Sequence, residues 1–207
     1  MRPEAPTESL TKSLSIADII LIVDAKKRFE EIFVQAQKKD GFALSLIWDS
    51  HALNEALLGE EVRKGLKKRT FGSGLVDLGA GDGIDLKTVD FFGFSPYLAV
   101  DLRAKRFPQP RRRFIRGEAL EFLINLPDGY ANVMANGFLC EEWYGEPHNA
   151  YVFRVLEEIR RVLPKSGIFI ATRFDFSEIA CRNGLVPIRD LTRGPIRVFE
   201  KASPSPK

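Results

Sequence analysis

From Ser15 onward apolar residues recur at helical spacing, Ile16, Ile19, Ile20 and Val23 being followed by Phe29, Ile32, Phe33 and Ala36. Ser15 with Asp18 three positions later has the form of a capping box, and Asp40-Gly41 would end the helix. A second helical run covers about Ser50 to Arg69, with Leu53, Leu57, Leu58, Val62 and Leu66 on one face and Lys64, Lys67 and Lys68 off it. At Gly74 the pattern changes. Leu75-Val76-Asp77-Leu78 reads as a short apolar strand that runs into Gly79-Ala80-Gly81-Asp82-Gly83, and Ile84 to Phe92 reads as a helix stopped by Gly93.

The same alternation continues through strand Tyr97 to Leu102, strand Arg113 to Arg116, a short helix Glu118 to Ile124, and strand Ala131 to Ala135 after the turn Pro127-Asp128-Gly129. An amphipathic run from Tyr151 to Leu163 then precedes strand Ile168 to Thr172. Gly184 to Lys201 reads as a hairpin around Thr192-Arg193-Gly194, and Pro187 places its first strand at a sheet edge, because proline cannot donate to a ladder. Strands alternating with helices predict an α/β fold: a mostly parallel sheet with helices on both faces, an antiparallel hairpin at the end and helices in front.

Composition narrows the function classes. The chain has 207 residues, 44% of them hydrophobic, which is enough for one domain with a real core. No apolar stretch approaches the roughly 18 residues of a membrane helix, and the N-terminus lacks a continuous apolar segment of the secretory kind, so a cytoplasmic location is expected. Cys140 and Cys181 fit no disulfide framework or metal cluster, and both are expected to be reduced and structural. With 31 basic and 28 acidic residues the net charge is only +3, but Arg103 to Arg116 gathers seven Lys or Arg and no acid. That stretch is either a solvated loop, interrupted by Pro108 and Pro110, or a contact for phosphates.

In an open parallel sheet a ligand binds beyond the carboxyl ends of the strands, beside the first strand, where the GAGDG turn lies. Its glycines permit a tight bend and close approach of a ligand, and the helix that follows offers free N–H groups. Dinucleotide and P-loop fingerprints are both absent: Ile84 stands where GxGxxG needs its third glycine, and no GK[ST] follows. Asp77, Asp82 and Asp85 around the turn disfavour a pyrophosphate and favour a cationic ligand carrying adenosine.

Here the chain resembles the class I S-adenosylmethionine-dependent methyltransferases, whose fold is Rossmann-like. VDLGAGDGIDL, Val76 to Leu86, is similar to their first motif, and AVDLR, Ala99 to Arg103, to the strand whose terminal acid grips the ribose. RGEALEFL, Arg116 to Leu123, ANVMANGFLCEEW, Ala131 to Trp143, and EEIRRVLPKSGIFIATRF, Glu157 to Phe174, follow in the family's order, so the resemblance covers about residues 70 to 175. It implies S-adenosylmethionine as cofactor, with S-adenosylhomocysteine as product. It implies cofactor contacts at Asp77, Gly79, Ala80, Gly81, Gly83, Asp101, Leu102, Glu118, Ala119, Asn136 and Gly137, with Asp101 on the ribose and Glu118 near the adenine amine. The chain departs from the pattern at Ser166, in place of a usual glycine, and in having only about ten residues between the fifth strand and the hairpin.

Methyl transfer from a sulfonium needs donor and acceptor held in line and water excluded, so no base is obligatory. If the acceptor must lose a proton, Glu141, Glu142, Tyr144 and His148 in the loop after the fourth strand are the candidates; the plain reading of His148 is an exposed loop residue. No metal ligands are expected. Ala135-Asn136-Gly137-Phe138 lacks the [DNS]PP[YF] form used for nucleic-acid amines, which favours a small-molecule acceptor. RNA, held by residues 103–116, is the alternative, and a non-catalytic S-adenosylmethionine-binding protein a third; a homodimer is left open. The expected organisation is a tail at 1–14, a helical segment at 15–70 that covers substrate or forms an interface, the methyltransferase domain at 71–201 and a tail at 202–207.

Overall fold

Strands that are apolar on both faces need cover on both sides, and here the helices supply it. A computed structural model describes residues 13–38, 55–81, 83, 86–103, 112–136, 138–139, 149–172, 174, 176–192 and 196–202. In it β1 (Leu75–Leu78), β2 (Tyr97–Asp101), β3 (Arg112–Arg116), β4 (Asn132–Asn136), β5 (Ile168–Thr172), β6 (Leu185–Pro187) and β7 (Ile196–Lys201) form one seven-stranded sheet in the order β3-β2-β1-β4-β5-β7-β6. The first five strands are parallel, while β7 runs antiparallel between β5 and β6. The strand bearing Pro187 therefore lies at the edge, as its missing N–H requires.

Among the described residues six α-helices accompany the sheet: α1 (Ile16–Lys38), α2 (Glu55–Thr70), α3 (Leu86–Phe92), α4 (Ala119–Ile124), α5 (Asn149–Val162) and α6 (Ser177–Arg182). Strand residues alternate between two cores. Val76, Leu78, Leu98, Val100, Val133 and Phe169 face α1, α4, α5 and α6, whereas Leu75, Tyr97, Ala99, Met134, Ile168 and Val198 face α2 and α3. Val152, Val155, Leu156, Ile159 and Val162 of α5 are fully buried, each burial stabilising by about 1.5–3 kcal/mol. At the opposite end of the sheet from the glycine turn, buried Asn132 joins three strands: its amide donates to Ser73 Oγ at 2.6 Å, and its oxygen accepts from Ile168 N at 2.8 Å.

The helix expected from Ser15 forms, and its capping box is present: Asp18 N donates to Ser15 Oγ (3.1 Å) and Ser15 Oγ donates to Asp18 Oδ2 (2.7 Å). The face it buries differs from the apolar stripe. Ile22 and Ala25 enter the core, while Ile16, Ile19, Ile20 and Val23 are 79%, 46%, 56% and 56% exposed. The buried face also carries a charge. Asp18 is turned inward, where Arg154 of α5 donates to it at 2.8 Å and to Glu158 at 2.6 Å, and Arg161 donates to Glu158 at 2.6 Å and to the Leu126 carbonyl. This chain of charges joins α1 to α5 on the face that Asp18 shares with Ile22 and Ala25.

Two further expectations are corrected. The hairpin's first strand is only three residues long, followed by a 3-10 turn at Arg189–Leu191, and α6 occupies the short connection between β5 and the hairpin. Cys181 is not a packed structural thiol: it is a free, exposed cysteine on α6. Cys140 lies outside the described residues.

Candidate functional site

The carboxyl ends of β1 and β4 are adjacent at the point where the chain's progress across the sheet reverses, and the glycine turn sits there. Gly79, Gly81 and Gly83 all have positive φ, at 63°, 54° and 76°. Their open sides differ. A Cβ at Gly79 would lie 2.7 Å from Phe138 Cβ, and one at Gly83 would lie 2.9 Å from the Tyr97 hydroxyl, but a Cβ at Gly81 would meet nothing within 4 Å. Two glycines thus admit neighbouring aromatic residues, and one faces open space. Ala80 N donates to Val100 O, tying the turn to β2.

Asp77 is 1% exposed, and its Oδ2 accepts from the Tyr97 hydroxyl at 2.5 Å. Its carboxylate lies beneath the turn. Asp101, at the end of β2, does face the turn: its Oδ2 accepts from Gly81 N at 3.0 Å and its Oδ1 from Arg103 N at 2.7 Å. The acid and the glycine with the open side are therefore in direct contact, although 20 residues apart in the chain.

Beyond β3, Glu118 caps α4, its Oε2 accepting from Glu121 N at 2.9 Å and its Oε1 from the hydroxyl of Tyr151 on α5. Burial pushes the Glu118 carboxyl above its ordinary value; hydrogen bonds from Tyr151 and from backbone amides, and the charge of Lys26, oppose that rise. Ala119 is buried behind it in the first turn of α4. A cleft of about 380 Å³ opens here, lined by Leu102, Arg116, Gly117 and Glu118 on one side and by Lys26 and Glu30 of α1 on the other.

The residues by which α1 meets the cleft escape the sequence. Lys26 Nζ pairs with Glu121 at 3.1 Å, and Glu30 pairs with Arg103 at 2.8 Å, with the Arg103 guanidinium 5.6 Å from the Phe29 ring. These tethers lay α1 along the rim of the cleft. The only available signal was the pair of opposite charges at i and i+4 on one helix, and nothing in the chain tells where that helix docks. Two cations of the basic stretch are turned to internal use: Arg103 binds Glu30, and Arg116 Nε donates to Leu102 O.

The structure brings Asp77, Gly79, Ala80, Gly81, Gly83, Asp101, Leu102, Glu118 and Ala119 to one end of the sheet. Asn136 ends β4 at the same end, in register with Thr172 of β5. Gly137, Glu141, Glu142, Tyr144 and His148 lie outside the described residues, as do residues 104–111 of the basic stretch.

The chain is similar in fold to the 1,6-didemethyltoxoflavin-N1-methyltransferase of Burkholderia thailandensis, solved with 1,6-didemethyltoxoflavin and S-adenosylhomocysteine bound. The likeness covers 98% of this chain and 100% of that one, at 16% identity and a TM-score of 0.58. This is the class I methyltransferase fold. The same methyltransferase fold relates it to a Listeria monocytogenes protein assigned to the S-adenosylmethionine-dependent methyltransferases, over 72% of this chain and 100% of that one, at 14% identity and a TM-score of 0.51. No family model and no curated sequence matches the chain. Among the described residues no helix is long and apolar enough to cross a membrane, and no cluster of His, Cys, Asp and Glu could hold a metal ion.

Proposed function

We propose that the chain is an S-adenosylmethionine-dependent methyltransferase with a small-molecule acceptor. One observation carries the reading. On a methyltransferase fold, the open side of Gly81, the carboxylate of Asp101 and the carboxylate of Glu118 converge beside a cleft at the carboxyl ends of β1, β2 and β3. The residues fit the cofactor's adenosine. Asp101 accepts from two backbone amides, each of its oxygens keeping a lone pair for ribose hydroxyls, and Glu118 presents an acceptor where an adenine amine would come. Bound there, S-adenosylmethionine would supply the activated methyl group.

The chain's own part is to hold and to exclude. The glycine turn gives backbone approach at Gly81, and Leu102 and Gly117 offer uncharged walls to the cleft. The Lys26–Glu30 face of α1 shuts off its outer side, so α1 serves as a cover for the cofactor, while α2 supports the opposite face of the sheet. Methyl transfer in line needs such enclosure more than it needs a base. A small acceptor is favoured by the Ala135-Asn136-Gly137-Phe138 sequence, which starts in the last two residues of β4. It is favoured also by the engagement of Arg103 and Arg116 within the protein, which leaves fewer cations for phosphates. The Burkholderia protein, which has the same fold, was crystallised with a small molecule and S-adenosylhomocysteine.

Titration calorimetry with S-adenosylmethionine, S-adenosylhomocysteine and NADPH tests the reading. Binding of the first two and not of the third is expected, followed by transfer of labelled methyl to small-molecule pools and not to bulk RNA. Absence of binding to either sulfur ligand would overturn the proposal, and labelled RNA would replace the acceptor class.

A further inference from the structure

We infer that Tyr151 is a positioning residue for nucleobase recognition: its hydroxyl holds Glu118 as a fixed, ionised acceptor at the mouth of the cleft, selecting an adenine over a base that carries a carbonyl in place of the exocyclic amine. The inference rests on the methyltransferase reading and deepens it. Glu118 is only 3% exposed, yet it lines the cleft. One carboxylate oxygen accepts from Glu121 N at the start of α4 and the other from Tyr151, so the group cannot rotate without losing a bond. Tyr151 is itself 2% exposed and seated in the core between α5 and the sheet, which fixes the hydroxyl in turn.

The charged groups around Glu118 have other partners. From α1, Lys26 is paired with Glu121 and Glu30 with Arg103; from β3, Arg116 donates to the Leu102 carbonyl; from α4 itself, Glu121 adds a like charge that Lys26 offsets. None of these makes an ion pair with Glu118 among the described residues, so the Tyr151 hydroxyl and the backbone amides, with a smaller share from the charge of Lys26, carry the stabilisation of its charge against burial. An ionised carboxylate only accepts hydrogen bonds. The ligand edge that meets it must therefore donate, as the amine of adenine does and the carbonyl of hypoxanthine does not, and a buried acceptor facing a carbonyl is penalised steeply.

The test measures binding of S-adenosylhomocysteine and of its inosine counterpart between pH 5 and 8, for the wild type, Tyr151→Phe and Glu118→Gln, with thermal melts as a check on folding. The wild type should prefer the adenosine ligand and lose that preference as the pH falls and Glu118 takes up a proton. In Tyr151→Phe the loss should begin at higher pH, weakening the adenosine ligand relative to the wild type by about ten-fold in the interval between the two transitions, the size of one lost hydrogen bond, and little at pH 8. Glu118→Gln should show weaker preference and no such pH dependence. Equal weakening of both ligands at every pH in Tyr151→Phe would mean core packing alone and would overturn the inference. If Tyr151→Phe fails to fold, a pH-independent preference in the wild type would overturn it instead. Failure of the wild type to bind either ligand would overturn the methyltransferase reading, and the inference with it.

Discussion

Alanine at Gly79 and at Gly81 separates the two uses of the glycine turn. Both positions are left-handed, with φ of 63° and 54°, so either substitution costs about 1–2 kcal/mol in backbone strain. At Gly79 the new methyl would also lie 2.7 Å from Phe138 Cβ and 2.8 and 2.9 Å from two ring carbons. Contacts that short force Phe138 to move, adding about 1–3 kcal/mol. At Gly81 there is nothing within 4 Å to collide with. Gly79→Ala should therefore lose about 2–5 kcal/mol and Gly81→Ala about 1–2 kcal/mol, each kcal/mol lowering the Tm by about 2–4 °C in a chain of this size. Binding should follow a different order. Corrected for folding, Gly81→Ala should lose S-adenosylhomocysteine affinity by about ten-fold or more, because its methyl projects into the space reserved for the ligand. Melting followed by circular dichroism and titration calorimetry on the same samples give both quantities. Wild-type affinity in Gly81→Ala would refute the assignment of the open space to the cofactor, and equal melting losses would refute the role given to Phe138.

Three further outcomes follow from the same geometry. Asp101→Ala should weaken S-adenosylhomocysteine by roughly ten- to a hundred-fold, since a hydrogen bond to a charged group contributes about 1.5–3 kcal/mol; calorimetry showing unchanged affinity would remove Asp101 from the site. Arg154→Met should destabilise the chain by about 3 kcal/mol in urea titrations, because it removes the ion-pair partner of the nearly buried Asp18 and leaves the nearly buried Glu158 with Arg161 alone. Asp18 and Glu118 should act on stability with opposite signs. Burial would raise Asp18, but hydrogen bonds from Ser15 and Arg154 outweigh it and hold its pKa below the ordinary value, so its contribution is present above about pH 4 and is lost on acidification. Glu118 is raised, so its contribution is full below its ordinary range and is lost as pH rises through the folded value; Glu118→Gln should accordingly equal or exceed the wild type in stability at pH 7 while binding ligand less well. A less stable Glu118→Gln at pH 7 would show that its charge is welcome where it sits.

The central strands, the glycine turn and the amphipathic α5 were legible because each is a local pattern. A period of two or of 3.6 and a glycine between strand and helix need no knowledge of the rest of the chain. The edge position of β6 was legible for the same reason, since Pro187 lacks the N–H that an inner strand must donate. The orientation of α1 was not. Its most apolar stripe, Ile16, Ile19, Ile20 and Val23, points outward while Asp18, Ile22 and Ala25 turn inward, and Asp18 pairs with Arg154, a residue more than a hundred positions away whose proximity exists only after folding. The roles of the three glycines were likewise indistinguishable in the chain, and Phe138 and Tyr97 decide them. The Tyr151–Glu118 bond and the Lys26–Glu30 wall of the cleft are of this second kind: sequence supplies the side chains, and only the packing of helices on the sheet brings them to one place.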